Sequence, residues 1–408
     1  MGSDRARPRR AVAPGRRGAV TVPGPQTGAR AAPLALGVDV AAIPLDALGA
    51  GQYALELVRA LDERDDVTLA LLARRDDARR WAGIAPRARL IAEAPVDRAR
   101  RLVWEEIGLG PVVRRHRASI AVLHGPHYCL PVAPGVPCVV TVHDLTFVDN
   151  PEWHERSKVL YFRRALRLAS RRARVVVCVS ERSAQRFVEL YRPTVPVRVV
   201  PHGVDHARFT PSEPGPGADA AALRALRVNP PFVLHTGTIQ PRKDLVSLVE
   251  AFDRVAGGRQ GLTLVLAGGD GWGTETLDAA IASSPHRDRI LRLGHVPDEV
   301  IPALVRSASA VAYPALEEGF GLPVLEALAC GTPVVTTEES VMSQIAGPAA
   351  LTVPRSDPDQ LAGAIESLLV GGADVARRRL SGLERAAGYT WQACAAGHVA
   401  AYREAAGG

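Results

Sequence analysis

Two successive series of short apolar segments, each alternating with helix-forming stretches, dominate the sequence. Alternation of this kind predicts parallel sheets with helices on both faces, because parallel strands are joined by crossover connections that are usually helices. We therefore predict an α/β protein in which two Rossmann-like, doubly wound parallel-sheet domains face a central cleft. Strands are expected at 34–40, 67–72, 119–123, 138–142, 174–179 and 197–201 in the first series, and at 232–236, 262–267, 289–293, 308–313, 333–336 and 349–353 in the second.

The boundary between the two series is the Pro- and Gly-rich run PSEPGPG, which is typical of a linker. The chain has 408 residues, and that length accommodates two domains. The predicted order is an Arg/Pro-rich tail at 1–33, a first domain at 34–205, a linker at 206–230, a second domain at 231–385 and a terminal helical region at 386–408.

The net charge of +7 is concentrated at the amino terminus and does not indicate nucleic-acid binding. Residues 1–30 contain seven Arg and one Asp, a net charge of +6, whereas a nucleic-acid-binding domain needs a basic surface of its own. We expect the tail to be disordered, because it is rich in Arg, Pro, Gly and Ala and has no hydrophobic period. A weak attraction of this tail to an anionic membrane surface is an alternative that stays open.

The cysteines and the apolar runs indicate a cytoplasmic protein. The five cysteines form no C-x-x-C pair, so we expect free thiols in a reducing compartment and no zinc site. No apolar run approaches the ~18 residues that a membrane-spanning helix needs. Peripheral association with the inner face of the membrane is the remaining alternative.

The segment YPALEEGFGLPVLEALACGTPVVT at 313–336 carries the strongest indication of chemistry. A strand runs into a Gly-rich turn that contains Glu318, and the following helix contains Glu326, with seven residues between the two carboxylates. Such a turn lies at the carboxyl edge of a parallel sheet, where open α/β folds bind ligands. Carboxylates there can accept hydrogen bonds from the hydroxyls of a sugar and a ribose.

A second segment, GTIQPRKD at 237–244, predicts a diphosphate clamp. It follows a strand and opens a helix, whose amino terminus attracts anions. Arg242 can hold phosphate oxygens bidentately and Lys243 acts as a point charge. Lys243 is also one of only two lysines in the chain. We expect Asp244 to be the N-cap of the helix.

Two histidines follow strands whose carboxyl ends face the cleft. His143 follows the strand at 138–142, and we expect Asp144 to orient its ring. His124 follows the strand at 119–123 and is a weaker candidate.

The loop after the first strand contains Gly49 and Gly51, which supply only part of a dinucleotide-binding fingerprint. The pattern G-x-G-x-x-G needs a third glycine where this chain has Ala54. A nicotinamide-dependent oxidoreductase is therefore a disfavoured alternative.

These segments together resemble the group 1 family of retaining glycosyltransferases with the GT-B fold, whose hallmark is Glu-x7-Glu in this setting. GTIQPRKD is similar to the family's G-T-x-x-P-R-K-N, with Asp244 in place of Asn, and the His143-Asp144-Leu145 run and PHGVD at 201–205 add support. The resemblance covers roughly residues 34–405. It implies a first domain on the acceptor side, a second that binds the nucleotide sugar, and a terminal helix that crosses back to the first domain.

The resemblance also implies roles for individual residues. Glu318 would hold sugar hydroxyls at the reacting centre, Glu326 would bind the ribose, and His143 would contact the donor sugar. Arg242 and Lys243 would neutralise the leaving diphosphate in place of a metal ion. The donor pocket would further include Gly237, Thr238, Gly268, Gly319, Phe320, Gly321 and Leu322, and the acceptor side Gly49, Gly51, His124 and Asp144.

The implied reaction is transfer of a sugar, with retention, from a nucleoside diphosphate sugar to a hydroxyl of a glycan, a glycolipid or a small molecule, with no cofactor or metal. Mannose is the expected sugar, because the combination of HDL, PRK and EEGFGLP looks most like mannosyltransferases in the family. A sugar-nucleotide epimerase of the same fold and a non-catalytic nucleotide- or glycan-binding protein are the alternatives.

Overall fold

The computed structural model of the chain describes residues 32–45, 47 and 49–407, and it confirms two parallel sheets. The first has seven strands in the order β3-β2-β1-β4-β5-β6-β7, and the second has six in the order β10-β9-β8-β11-β12-β13. The strands are β1 Leu34–Asp39, β2 Val67–Arg74, β3 Arg89–Ala94, β4 Val122–Gly125, β5 Cys138–Val142, β6 Val175–Cys178, β7 Val197–Val199, β8 Phe232–Thr236, β9 Thr263–Ala267, β10 Ile290–Gly294, β11 Ala310–Tyr313, β12 Val334–Thr337 and β13 Ala350–Val353.

Helices cover both faces of each sheet, and separate apolar clusters fill the space beneath them. They are α1 Ala50–Asp62, α2 Ala78–Ile84, α3 Arg98–Val103, α4 Leu109–Arg115, α5 Thr146–Asp149, α6 Arg156–Arg172, α7 Glu181–Tyr191, α8 Ala218–Ala225, α9 Leu245–Ala256, α10 Glu275–Ser283, α11 Ile301–Ser307, α12 Leu322–Ala329, α13 Val341–Ala346, α14 Pro358–Val370, α15 Ala373–Ala387 and α16 Trp391–Gly407.

The strand order reverses direction beside β1 in the first sheet and beside β8 in the second. Open parallel sheets bind ligands at such switch points, outside the carboxyl ends of the strands. The loop at 237–244 leaves β8 and the Glu318 turn leaves its neighbour β11. The two loops expected to carry chemistry therefore start side by side.

Two features of the fold differ from the sequence prediction. The edge strand β3 was missed, because its sequence RLIAEA is short and mixes charged with apolar residues. The segment predicted as a linker at 206–230 contains α8, which packs on α11 and buries Leu223 and Val228. That segment is therefore part of the core next to the second sheet.

The terminal helix α16 packs on α1 and on strands β4, β5 and β6 of the first sheet. The chain comes close to itself at the start of this helix, because a Cβ atom on Gly203 would lie 2.2 Å from the backbone nitrogen of Trp391. Only glycine allows that approach, and it ties the end of the first domain to the beginning of α16.

Two further sequence predictions concern the amino-terminal tail and membrane-spanning helices. The Arg-rich tail predicted at 1–33 lies outside them, apart from Ala32 and Pro33. Within the described ranges, no helix is both long enough and apolar enough to cross a bilayer.

Candidate active site

Glu318 lies in a buried cluster with the two cations of the 237–244 loop. Its Oε1 atom is 2.7 Å from Nη1 of Arg242 and also contacts Nζ of Lys243. The Tyr313 hydroxyl donates to the same oxygen at 3.0 Å and is itself contacted by Lys243. The structure thus brings together three of the residues expected to bind the donor and adds Tyr313 to them.

The backbone fixes the cluster, because the two loops are bonded to each other. The Leu316 N–H donates to the Arg242 carbonyl at 2.8 Å, and Arg242 Nη1 donates to the Glu317 carbonyl at 3.1 Å. Arg242 and Lys243 lie in a single 3-10 turn, which places both cations next to Glu318.

Asp244 occupies the N-cap position of α9, but it does not cap the helix with a bond to a backbone N–H. Its backbone is left-handed, with φ of 52°, a conformation that Asn and Asp tolerate better than most residues. Its carboxylate accepts instead from the Ser247 hydroxyl at 2.8 Å and the Ser356 hydroxyl at 3.1 Å. The predicted N-cap position of Asp244 is confirmed, whereas the expected hydrogen bond from its side chain to a backbone N–H of α9 is absent.

The charges of the cluster follow from burial and from the ion pairs. Burial opposes ionisation of Glu318, but Arg242 and Lys243 outweigh it and lower the pKa of Glu318 to about 2. Burial also lowers the pKa of Lys243 to about 8, with Glu318 opposing the shift and Arg242 adding to it. The carboxylate is therefore ionised throughout the physiological range, and Lys243 depends on a neighbouring anion to keep its proton.

Glu326 lies on α12 and is half-buried. Among the described residues its carboxylate has no hydrogen-bond donor, and burial, with Asp298 nearby, raises the pKa of Glu326 to about 7, against a smaller opposite effect of Arg208. A partly buried carboxyl group without a protein donor is available to ligand hydroxyls. Its role with a ribose stays a prediction.

The ends of β8 and β9 approach each other at Gly237 and Gly268. A Cβ atom on Gly268 would lie 2.1 Å from the Gly237 carbonyl oxygen, and one on Gly237 would lie 3.9 Å from both Nζ of Lys243 and the Tyr313 hydroxyl. These glycines therefore let two loops close over the edge of the sheet beside the cations. Thr238 continues the first loop and is half-buried.

We expect Gly268→Ala to lower the free energy of unfolding by about 1–3 kcal/mol, because the new methyl group overlaps backbone that cannot move aside by rotation. Gly269→Ala is the matched control, since a Cβ atom there would have no neighbour within 4 Å. Urea unfolding of the two variants measures the difference. Equal stabilities would show that the close contact of the two loops is not rigid.

His143 has a defined tautomer. Its Nε2–H donates to the Pro126 carbonyl at 2.8 Å, so in the neutral ring Nδ1 is the unprotonated nitrogen. Burial lowers the pKa of His143 to about 4, which the bond to Pro126 only partly offsets. The ring is therefore neutral at pH 7, and Nδ1 can accept a hydrogen bond from a hydroxyl.

The Glu318 turn rests directly on the backbone that carries His143. A Cβ atom on Gly319 would lie 2.5 Å from the His143 carbonyl oxygen. Gly321 has φ of +101° and forms the N-cap of α12, which begins with the half-buried Leu322. The glycines of this turn thus permit the contact between the second sheet's loop and the end of β5.

Two expectations about side chains near this contact are wrong. Asp144 does not orient the ring of His143, because its Oδ1 accepts from the backbone N–H and the hydroxyl of Thr146 in a local turn. His124 cannot meet an acceptor, because it is 0% exposed and both ring nitrogens are bonded within the protein. Phe320 is buried with its ring 4.6 Å from that of His202, and its place in the donor pocket stays a prediction.

The loop after β1 is open at Gly49 and closely packed at Gly51. Gly49 has φ of +52°, and no atom lies within 4 Å of where its Cβ would be, whereas a Cβ on Gly51 would lie 2.9 Å from Ala47 Cβ. Gly49 therefore allows a backbone conformation with positive φ, and Gly51 allows Ala47 to pack closely against the start of α1.

A polar cavity of about 260 Å³ adjoins Glu318 and has walls from both halves of the chain. Asp144 and the loop that follows it, together with α7, form one side, and the Glu317–Glu318 turn forms the other. Arg182 of α7 bridges the two sides with a bidentate pair to Glu317, at 2.6 and 2.8 Å. Sequence reasoning missed Arg182, because its partner lies 135 residues away along the chain.

Buried histidines make the stability of the protein depend on pH, and the contribution of His235 can be tested by a single substitution. His235 is 0% exposed and donates from Nδ1 to the Ala312 carbonyl at 3.1 Å. Burial, with Lys243 nearby, lowers the pKa of His235 to about 3. The unfolded chain, with a histidine pKa near 6.5, therefore binds a proton that the folded chain does not, and stability is lost as the pH falls from about 6.5 towards 3.

We expect His235→Asn, which keeps a donor towards Ala312 and removes the titration, to have a flatter pH dependence than the wild type. The difference in slope is about 1.4 kcal/mol per pH unit between pH 6 and pH 4. Urea unfolding at a series of pH values measures it. Parallel pH profiles would mean that His235 takes up its proton in the folded state.

Comparison with known proteins places the chain among glycosyltransferases. The family model described as "Glycosyl transferases group 1" matches residues 222–381, and the one described as "Glycosyltransferase Family 4" matches residues 48–208. The two matches cover the loops of both sheets that were described above.

Curated relatives and a solved structure agree with these matches. The chain is 28% identical to O-antigen chain mannosyltransferase B of Escherichia coli over 69% of this chain and 74% of that protein. It is 32% identical to D-inositol 3-phosphate glycosyltransferase of Mycobacteroides abscessus over 66% of this chain, and the match spans only 61% of that relative. The Anabaena protein HepE, solved with UDP and glucose, has a TM-score of 0.69 at 19% identity and covers 90% of this chain and 98% of its own. Structural similarity to a protein of such low sequence identity shows a shared fold, and that fold is GT-B.

Proposed function

The chain belongs to the group 1 family of glycosyltransferases, and from that premise we propose that it transfers a sugar from a nucleoside diphosphate sugar to an acceptor hydroxyl with retention at the anomeric carbon. The observation that carries the proposal is the contact of Glu318 with both Arg242 and Lys243 at the carboxyl edge of the second sheet. One anion already occupies a site with two cations. A diphosphate, with more negative charge, is the ligand that would compete with it.

Binding of the donor would exchange partners within the cluster. The diphosphate takes the hydrogen bonds and charge of Arg242 and Lys243, and Glu318 is released towards the sugar. Because its pKa is about 2, Glu318 stays ionised and can accept hydrogen bonds from sugar hydroxyls and stabilise positive charge that develops at the anomeric carbon. Glu326 is proposed to bind the ribose.

We propose that the leaving diphosphate itself assists the reaction, because the described residues offer no separate nucleophile in contact with Glu318. The acceptor oxygen bonds to the anomeric carbon on the face from which the diphosphate departs, and its proton passes to a phosphate oxygen. Arg242 and Lys243 neutralise the charge that builds up on the leaving group, and no metal ion or other cofactor is required. Neutral His143 accepts from a sugar hydroxyl through Nδ1.

The sugar is proposed to be mannose, carried as GDP-mannose. The relative named as a mannosyltransferase supports this choice, as does the combination of the HDL, PRK and EEGFGLP segments. The neighbour solved with UDP and glucose makes a uridine donor the second candidate. The polar cavity beside Glu318, with Asp144 and Arg182 in its walls, is the proposed entrance for the acceptor hydroxyl.

A cytoplasmic location is proposed as well. Its support is that Cys129, Cys138, Cys178, Cys330 and Cys394 are all free thiols and that four of them are buried, which suits a reducing compartment. Weak attraction of the Arg-rich tail to an anionic membrane surface is a further proposal, supported by the net charge of +6 in residues 1–30.

Thermal unfolding with a panel of GDP, UDP, ADP and their sugars tests the proposal, with NAD as the control. A ligand at 100 times its dissociation constant stabilises the folded state by about 2.7 kcal/mol. We expect a clear shift with one nucleoside diphosphate and its sugar, in the presence of a metal chelator. A shift with NAD alone, or with none of these ligands, would contradict the proposal.

A further inference from the structure

A chain of buried hydrogen bonds joins the terminal helix α16 to α1 and to strands β4 and β5. Each link is 2.8 to 2.9 Å long. In order, the groups are the hydroxyl of Tyr402, the ring of His124, the hydroxyl of Thr141, the hydroxyl of Tyr53, the ring of His398 and the carbonyl of Cys394.

The directions of these bonds follow from the carbonyl at one end. His398 Nδ1 faces the Cys394 carbonyl and must donate to it, so in the neutral ring Nε2 accepts from the Tyr53 hydroxyl. Tyr53 then accepts from Thr141, and Thr141 accepts from His124 Nε2–H. Each of the five side chains donates one bond, the Cys394 carbonyl accepts the last one, and the position of the Tyr53 hydroxyl is fixed from two sides.

Tyr53 in turn braces the ring of His143. The two rings meet edge to face with centroids 4.9 Å apart, and Tyr53 also lies 4.7 Å from the ring of His202. His143 has a protein hydrogen bond only at Nε2 among the described residues, so packing decides where its free Nδ1 points. The rings of Tyr53, His127, Tyr128 and His202 all pack on it, and Tyr53 has the smallest centroid distance and is bonded to His398 of α16.

We propose that His398 is a positioning residue for His143, acting through Tyr53. His398 is thereby the residue of the terminal helix that helps to prepare the donor site. This inference rests on the proposed function, because it takes His143 to contact the donor sugar. His398 holds the Tyr53 hydroxyl, and the Tyr53 ring holds the imidazole of His143.

Two isosteric substitutions separate positioning from general stability. Tyr53→Phe removes the hydroxyl that His398 and Thr141 hold, and Tyr402→Phe removes the hydroxyl at the far end of the same chain. Both tyrosines are 0% exposed, so each substitution keeps a buried aromatic ring in place and leaves the former partners of the hydroxyl unpaired. We expect kcat for donor hydrolysis to fall about tenfold in Tyr53→Phe, with KM within twofold, and to change less than twofold in Tyr402→Phe.

Substitutions of His398 test the hydrogen bond between His398 and the Tyr53 hydroxyl from the side of α16. The amide oxygen of His398→Gln can replace Nε2 as the acceptor for Tyr53, whereas His398→Asn can reach only the Cys394 carbonyl. We expect Gln to restore kcat to within threefold of the wild type and Asn to reproduce the loss seen in Tyr53→Phe. In a His143→Asn background, Tyr53→Phe should cause no further loss. Equal losses for Gln and Asn, or additive effects with His143→Asn, would overturn the proposal.

The imidazole nitrogen shifts of His143, recorded on 15N-histidine-labelled full-length protein and assigned with His143→Asn, give a readout that needs no substrate. We expect Tyr53→Phe to change the His143 signals and Tyr402→Phe to leave them unchanged. Unchanged signals in Tyr53→Phe would refute the coupling. If the wild type hydrolysed no donor, the proposed function would fail, while this spectrum would still decide whether Tyr53 positions His143.

Discussion

We expect the Glu318→Gln variant to turn over the donor at least 100-fold more slowly than the wild type, a loss of about 2.7 kcal/mol of transition-state stabilisation. The reason is that the neutral amide cannot stabilise positive charge at the anomeric carbon as a carboxylate does. The support that Glu318 gives to the protonated form of Lys243, whose pKa is about 8, matters only before the donor binds, because the diphosphate then becomes the partner of Lys243.

The measurement is the rate of nucleoside diphosphate release at saturating donor. Glu338→Gln is the control, because Glu338 is exposed on a neighbouring loop and forms no ion pair in the described part of the chain. The control should retain wild-type turnover. A Glu318→Gln enzyme within threefold of the wild type would remove Glu318 from the reacting centre.

The Lys243→Ala variant should lower kcat at least tenfold, about 1.4 kcal/mol. Lys243 is 5% exposed, and its ammonium contacts Glu318 and Tyr313. With it gone, Arg242 alone faces the charge that develops on the leaving diphosphate. Because that charge grows in the transition state, the loss should appear mainly in kcat and less in KM.

The chain contains a matched control in its other lysine. The Lys158 side chain is 43% exposed, and among the described residues it pairs only with Glu155 at the N-cap of α6. Lys158→Ala should have unchanged kinetics, since exposed pairs of this kind contribute little. Equal kinetics for the two lysine variants would mean that Lys243 has no part in neutralising the diphosphate.

Much of the fold was predictable from the sequence, because it depends on local patterns. The apolar runs at 232–236 and 308–313 lie where β8 and β11 are found. The turns that follow them bring Arg242, Lys243 and Glu318 together because parallel neighbours end at the same edge of a sheet. The strand order that makes β8 and β11 neighbours was not predicted from spacing, and it was the resemblance to the family that implied one shared site for these residues.

The side chains that were wrongly assigned depend on partners far away in the sequence. His124 is bonded to Tyr402, 278 residues further on, and no local pattern indicates that bond. Asp144 was expected to hold His143, but a carboxylate two residues before a Thr readily forms a local turn with it. The strand β3 was missed because an edge strand can carry charged residues on its exposed side.

The most direct test of the account is nucleoside diphosphate release by the purified wild-type chain from a panel of GDP-, UDP- and ADP-sugars, with a metal chelator present. The account predicts release from one class of donor, GDP-mannose first, at a rate that falls at least tenfold in Lys243→Ala. Folded protein that releases no nucleoside diphosphate from any donor, or that releases it equally well without Lys243 and without Glu318, would contradict it.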